Sequence, residues 1–206
     1  MRLLPYGDRA LLAEFPTQEG VLGALVAWRD APPGVLELVP AARTVLVRID
    51  PGALGLGHLK HWLRSTPRID ASLPVADSVT IPVRYDGQDL AAVAQAWQCS
   101  PDDVIERHRA REWVCVFVGF APGFPYLVPV DGESSLPPVA RRATSRTAVP
   151  AGAVALAAEY CGIYPRSSPG GWQLIGTTDA VLWDADRAGP ALVTPGTRVR
   201  FSRAVP

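Results

Sequence analysis

Lysine is almost missing from this chain. Among 20 basic residues only Lys60 is a lysine, and the rest are arginines. No glycine-rich segment ends in Gly-Lys-Ser or Gly-Lys-Thr, which excludes a P-loop that would cradle phosphates. A Gly-x-Ser-x-Gly nucleophile elbow and a His-Glu-x-x-His zinc helix are missing too. The three cysteines, Cys99, Cys115 and Cys161, are far apart and form no Cys-x-x-Cys pair. That spacing argues against a disulfide framework and a zinc knuckle, and reads instead as small buried or half-buried side chains. No metal site is expected. Neither sign of charge is in excess, with Lys+Arg 20 and Asp+Glu 20, so no global field draws nucleic acid or an anionic membrane surface. No apolar run approaches the roughly 20 residues that span a bilayer. The opening MRLLPYGDRALL lacks the apolar core of a secretory signal, so the expected location is cytoplasmic.

What the chain has in quantity is proline and glycine, 21 and 18 residues, and two segments concentrate them. One is Gly119-Phe120-Ala121-Pro122-Gly123-Phe124-Pro125-Tyr126-Leu127, and the other is Tyr164-Pro165-Arg166-Ser167-Ser168-Pro169-Gly170-Gly171-Trp172. Proline fixes φ and glycine opens φ values closed to other residues, so each segment dictates one backbone path. Both segments adjoin apolar, strand-like runs. Aromatic side chains on stiff loops are what a binding surface or an active-site wall requires.

At 206 residues, 48% hydrophobic and 19% charged, the chain can form one large or two modest globular domains. Residues 1–77 read as a small α+β domain. Leu3-Leu4 and Ala10 to Phe15 predict a hairpin around Tyr6-Gly7-Asp8. Thr17 caps an expected helix with Val21, Leu22, Leu25, Val26 and Trp28 on its apolar face. Val35 to Val39 and Thr44 to Ile49 predict strands, and Leu54 to Leu63 a helix. Thr66-Pro67 and residues 73–77 have linker composition. Residues 78–206 read as mainly β. Val79 to Tyr85 predicts a strand and Leu90 to Trp97 a helix. A second helix from Pro101 to Ala110 is expected behind a Ser100–Asp103 capping box. Short apolar runs follow, at Trp113 to Phe120, Ala153 to Ala157, Trp172 to Gly176, Ala180 to Trp183, Ala191 to Val193 and Arg198 to Ser202. Such spacing points to a barrel or sandwich.

The residues with chemistry to offer are few. Arg141, Arg142, Arg146 and Arg166 are candidate anion receptors, because an arginine fork grips carboxylate or phosphate oxygens bidentately. Arg141 and Arg146 lie in PPVARRATSRTAVPAG (137–152), which shows no helical or strand period and reads as a loop. A solvated basic loop, or pairing to carboxylates of this chain, is the other reading. His108 is a candidate proton carrier, or else a histidine that stabilises a helix end. His58 and His61 read as structural. Phe120, Phe124, Tyr126, Tyr164 and Trp172 are candidate site walls that would stack on a planar ligand and exclude water. Pro122, Gly123, Gly170 and Gly171 shape the same loops.

Taken together, GFAPGFPYL, then Arg141 and Arg146 leading into VPAG (149–152), then GIYPRSSPGGWQLIG (162–176) resemble one bacterial family. It comprises the B subunit of the ATP-dependent 5-oxoprolinase, allophanate hydrolase subunit 1 and a sporulation kinase inhibitor, the carboxyltransferase C/D domain. Gly7-Asp8-Arg9-Ala10-Leu11-Leu12 resembles its N-terminal phrase, so the likeness spans nearly the whole chain. The resemblance implies a cyclophilin-like β-barrel over 78–206. It implies a site built from His108, Arg141 and Arg146 as catalytic groups, with substrate or nucleotide held by Phe120, Pro122, Gly123, Phe124, Tyr126, Tyr164, Arg166, Gly170, Gly171 and Trp172. The implied activity is ATP-dependent opening of 5-oxoproline to glutamate, with ATP and Mg2+ as co-substrate. It would act with a carboxyltransferase A/B-type partner and a third, sugar-deacetylase-like subunit. Phosphoryl transfer to the lactam oxygen would turn a poor electrophile into one that water attacks, and arginines would stabilise the charge. The family also offers a half of a urea-type, biotin-dependent carboxyltransferase and a histidine-kinase inhibitor as alternatives. Met1 is the sole methionine, so a biotin carrier would come from elsewhere. The sequence departs from the family at three points. Ala140 and Ser145 replace prolines before Arg141 and Arg146, and Tyr160-Cys161 replaces a glutamine-threonine pair, which implies altered substrate contacts.

Overall fold

The structure, a computed structural model, describes residues 1–67, 78–130 and 137–204. The chain divides into two compact units, Met1–Leu73 and Pro74–Pro206. The linker composition at 73–77 and the boundary expected at 77/78 lie outside the described residues.

In the first unit, strands β1 (Arg2–Pro5) and β2 (Ala10–Glu14) form a hairpin whose turn places Gly7 at φ 64. Helix α1 (Gln18–Ala27) starts at Thr17, whose hydroxyl accepts the Gly20 N–H at 3.3 Å. Strands β3 (Val35–Pro40) and β4 (Thr44–Ile49) and helix α2 (Leu56–Ser65) complete the unit. The sheet is antiparallel in the order β1-β2-β4-β3. Every second residue of β2 and β4 turns one way: Leu11, Ala13 and Phe15 beside Val45, Val47 and Ile49. That face meets Val21, Ala24 and Trp28 of the α1 segment and Leu59 and Leu63 of α2 in a single core. Each such aliphatic or aromatic side chain contributes about 1.5–3 kcal/mol when fully buried.

The second unit holds strand β5 (Ser78–Val83), helices α3 (Leu90–Ala96) and α4 (Pro101–Arg109), and strands β6 (Glu112–Val118) and β7 (Pro125–Pro129). Strands β8 (Arg146–Val149), β9 (Ala153–Ala157), β10 (Tyr160–Ile163), β11 (Ser168–Gly170), β12 (Gln173–Thr177) and β13 (Arg198–Arg203) follow. The capping box forms: Ser100 Oγ accepts from the Asp103 N–H at 3.1 Å, and the Asp103 carboxylate accepts from the Ser100 N–H at 3.0 Å. The main sheet runs β12-β9-β10-β7-β6-β13-β5, and only β13 and β5 are parallel. It curls until its two edges meet. Arg84 and Thr177 exchange two backbone hydrogen bonds of 2.8 Å, and the Gly87 N–H donates to Ile175 at 3.3 Å. Gly87 and Gly176 permit that seam, since a Cβ on either would run into the backbone opposite.

Alternation sorts the strand residues onto two faces. Ile81, Val83, Cys115, Leu127, Val154, Leu156, Cys161, Ile163 and Ile175 fill the interior with Val93 and Trp97 of the α3 segment and Val104 of α4. On the other face Ala153, Ala155 and Ala157 of β9 lie under Phe124, Tyr164 and Trp172. β9 is therefore buried on both faces.

Two expectations differ from the structure. Ala180 to Trp183 and Ala191 to Val193 are not strands; one bridge, Trp183 to Ala191, joins them. The turn between them, closed by the Asp184 N–H on the Pro190 carbonyl, uses the residues that would extend the pairing. The segment 137–152 is not wholly a loop, because Arg146–Val149 forms β8 against β11.

Candidate functional site

The two Pro/Gly/aromatic segments converge on the alanine-backed face of the curled sheet. The first forms the turn from β6 into β7. The Gly119 N–H donates to the Phe124 carbonyl at 3.2 Å, and the Phe124 N–H to the Ala121 carbonyl at 3.0 Å. Across Phe120 the Ala121 N–H reaches the Gly119 carbonyl at 2.8 Å, a γ-turn that holds Phe120 at φ 67. A bulky residue at positive φ is strained, and such strain collects where a side chain must be presented. Phe120 is 63% exposed.

The second segment carries Tyr164 at the end of β10 and Trp172 ahead of β12. Phe124 meets Tyr164 edge-on at 5.1 Å and 89° and Trp172 at 5.4 Å and 86°; Tyr126 meets Trp172 at 5.5 Å. Room for these rings comes from glycine. A Cβ on Gly162 would come within 2.8 Å of Phe124 and 2.9 Å of Trp172, and one on Gly170 would collide with the Tyr164 hydroxyl. The rings of Phe120, Phe124, Tyr126, Tyr164 and Trp172 wall a cleft of about 260 Å3. Arg141, Ser145, Pro169, Gly170 and Gly171 close its polar side.

The arginines divide. The Arg141 guanidinium lies over the Trp172 ring, 5.9 Å from its centroid, a cation–π contact. Among the described residues no carboxylate pairs with it. Arg142 and Arg146 instead turn to Asp89, whose Oδ1 accepts from Arg142 Nη1 at 2.8 Å and from Arg146 Nη2 at 2.9 Å. Burial pushes the Asp89 carboxyl up, but the Arg146 and Leu174 hydrogen bonds and both positive charges outweigh it and leave it below its ordinary value. Burial raises the Tyr126 and Tyr164 phenols, partly offset by the Arg141 charge, so both stay protonated hydrogen-bond donors.

Eight of the expected site residues line the cleft: Phe120, Phe124, Tyr126, Arg141, Tyr164, Gly170, Gly171 and Trp172. Five do not. His108 is wholly buried in the interior core, with Nδ1 2.8 Å from the Tyr85 hydroxyl and Nε2 3.3 Å from Cys161 Sγ. Burial drives its pKa down to about 3, so it is neutral near pH 7 and cannot reach a ligand in the cleft. Arg146 turns Nη2 to Asp89 Oδ1 and Gln88 Oε1, its Nη1 is buried without a partner among the described residues, and it does not line the cleft. Arg166 is exposed on its loop outside the cleft, Pro122 is exposed on the first turn, and Gly123 packs against Trp183. Of the departing pair, Cys161 faces the interior, while Tyr160 stands edge-on to Tyr126 at 5.6 Å and 84°. Asp89 and Ser145 escaped the sequence reading. An aspartate just before a helix signals an N-cap, but Asp89 makes no side-chain cap bond to α3, so that signal points to the wrong role.

A model of the carboxyltransferase domain, subdomain C and D, matches residues 1–193. The B subunit of 5-oxoprolinase from Escherichia coli O157:H7 is 36% identical over 204 residues, covering 95% of this chain and 92% of that protein. The crystal structure of TTHA0988 superposes with a TM-score of 0.77 at 37% identity, covering 97% of this chain and 41% of the longer one. The urea carboxylase of Kluyveromyces lactis gives a TM-score of 0.79 at 21% identity, over 98% of this chain and 22% of that one, and shows the fold alone. No helix among the described residues is long and apolar enough to cross a membrane. With a full-length relative at this identity and a family model over nearly all of its residues, the chain belongs to the carboxyltransferase subdomain C and D family.

Proposed function

We propose that this chain is the B subunit of a cytoplasmic, ATP-dependent 5-oxoprolinase that hydrolyses 5-oxoproline to glutamate. It works beside a carboxyltransferase A/B-type partner and a third, sugar-deacetylase-like subunit. The curled sheet is then a cyclophilin-like barrel, with the cleft on its outer face. One observation carries the reading: five aromatic rings wall a small cleft in which, among the described residues, Arg141 alone offers a cation. A five-membered lactam with a carboxylate has the matching chemistry. Its ring lies against the aromatic faces, Arg141 grips the carboxylate, and the half-buried, protonated Tyr126 hydroxyl donates to its oxygens. The rings shield the lactam from water on the sheet side, and a partner surface would close the open side.

A triphosphate with Mg2+ does not fit these residues. The cleft supplies one guanidinium and no lysine, and no group of three acidic, histidine or cysteine side chains suited to a metal occurs among the described residues. At about 260 Å3 the cleft also falls below the roughly 300–1,000 Å3 of ordinary ligand pockets. In this reading the polyphosphate and its ion lie on the partner, and the two proteins complete one site.

The test is co-expression with the neighbouring open reading frames, followed by ATP hydrolysis with and without 5-oxoproline. Turnover stimulated by 5-oxoproline in the complex and absent from each piece is the expected result. Arg141→Ala should lower it about 100-fold, with the complex intact on size exclusion. A complex indifferent to 5-oxoproline sinks the reading, and biotin-dependent carboxyl transfer in its place would favour the urea-type alternative.

A further inference from the structure

Behind the cleft lies a carboxylate whose oxygens are wholly committed. Asp89 is 4% exposed. Its Oδ1 takes the Arg142 and Arg146 guanidinium groups, and its Oδ2 accepts the Leu174 N–H at 2.8 Å. Its own N–H donates to the Leu174 carbonyl at 2.9 Å, so the residue is fastened at both ends to β12, two residues past Trp172. An aspartate in this place before a helix ordinarily turns its carboxylate onto the first turn. Here α3 goes without that bond, and both oxygens serve the segment 140–146 and the start of β12.

The same two segments are stitched at the backbone. The Arg142 N–H donates to the Gly171 carbonyl at 2.8 Å, and Gln173 Nε2 donates to the Ala140 carbonyl at 3.0 Å. Ala140 and Arg142 are thereby held on either side of Arg141, whose guanidinium lies over Trp172. Arg146, on β8 opposite Gly170, pins the far end of the loop. We infer that Asp89 is the positioning residue of the cleft: by binding Arg142, Arg146 and Leu174 together it fixes Arg141 over Trp172. Two guanidinium groups against one carboxylate leave a net positive charge behind the cleft, while Arg141 is the arginine that lines it. Its effect on catalysis rests on the reading of the cleft as the reaction site; the placement of Arg141 does not.

Asp89→Asn keeps the shape but cannot accept at both positions. In the isotopically labelled chain the nuclear Overhauser contact between Arg141 side-chain protons and the Trp172 ring should disappear, while amide contacts across the Arg84–Thr177 seam persist. In the co-expressed complex the KM for 5-oxoproline should rise about tenfold or more. Asp179→Asn, which breaks an exposed ion pair with Arg84 elsewhere on the unit, should leave KM unchanged. An Arg141–Trp172 contact that survives Asp89→Asn overturns the inference, as does an unchanged KM beside a lowered melting temperature, the mark of a purely structural carboxylate. If the wild-type complex ignores 5-oxoproline, the functional reading falls by itself and the proton contact still decides the placement. Should Asp89→Asn fail to fold, Arg142→Met removes one arm; a weakened contact supports the inference and an undiminished one refutes it.

Discussion

Replacing His108 by glutamine probes whether this histidine is a proton carrier or a core residue. The ring is wholly buried, stacked at 4.3 Å on Phe201, with one nitrogen on the Tyr85 hydroxyl and the other on the Cys161 thiol. Burial disfavours the imidazolium and takes the pKa from 6.5 to about 3. A base whose folded pKa is depressed stabilises the fold fully above its unfolded pKa and loses that contribution as pH falls toward the folded one. The gap between 6.5 and about 3, at about 1.36 kcal/mol per unit, makes the full loss about 5 kcal/mol. Between pH 7.5 and pH 5.0 the loss from this group is about 2 kcal/mol. Glutamine does not titrate, and it gives up the ring stacking and the hydrogen bonds to Tyr85 and Cys161. The variant should therefore be weaker by about 2 kcal/mol at pH 7.5 and converge on the wild type by pH 5.0. Urea unfolding followed by tryptophan fluorescence at both pH values reads this directly. Equal losses in the two proteins on acidification would refute the argument. So would a limb near neutrality in the pH profile of complex turnover that vanishes in the variant, because that requires His108 to titrate in contact with substrate.

Arg146→Ala should remove about 2–3 kcal/mol of stability by leaving Asp89 with one guanidinium. Below its melting temperature it should keep turnover within about tenfold of wild type, since Arg142 still ties the loop to β12; urea unfolding and complex kinetics measure the two effects. Gly170→Ala pushes a methyl into the Tyr164 hydroxyl and should cost about 1–3 kcal/mol in thermal or urea unfolding. A variant as stable as wild type would mean that the Tyr164 ring is not fixed where the cleft needs it.

Much of the secondary structure was legible because local rules were strong where tertiary demands agreed with them. The Ser100–Asp103 box, Pro101 at the first helical position and the short apolar run Ala153 to Ala157 each satisfy one rule and form as expected. Strands β7, β10 and β11 were harder to see because prolines, glycines and aromatics dominate them. Pro125 begins β7, where its missing N–H is tolerated, and Gly162 sits within β10 because rings press against its Cα. The stiffness of each motif loop was legible from its prolines and glycines, whereas their meeting in one site was implied only by the family resemblance. The division among the arginines was not legible. Arg141, Arg142 and Arg146 have the same side chain, and what separates them is a carboxylate more than fifty residues earlier, Asp89. His108 misled for the matching reason, since burial, which sequence reports poorly, decides whether an imidazole titrates near neutrality.

The position of the cleft on the outer face follows from one strand. β9 alternates alanines with Val154 and Leu156, so the larger side chains fill the interior and only methyl groups point outward. Rings the size of Phe124, Tyr164 and Trp172 can then lie close to the sheet, where valines or leucines would lift them and close the space between them. The same arrangement leaves the outermost ring uncovered. Phe120 is 63% exposed and held at φ 67, so it combines unburied apolar area with backbone strain. In the isolated chain neither is compensated. Both are offset once a second surface closes over the cleft, because burying the ring recovers its apolar area and gives the strained turn something to present it to. In the proposed assembly a partner surface would supply that cover, and the ligands for phosphate and metal would lie on it.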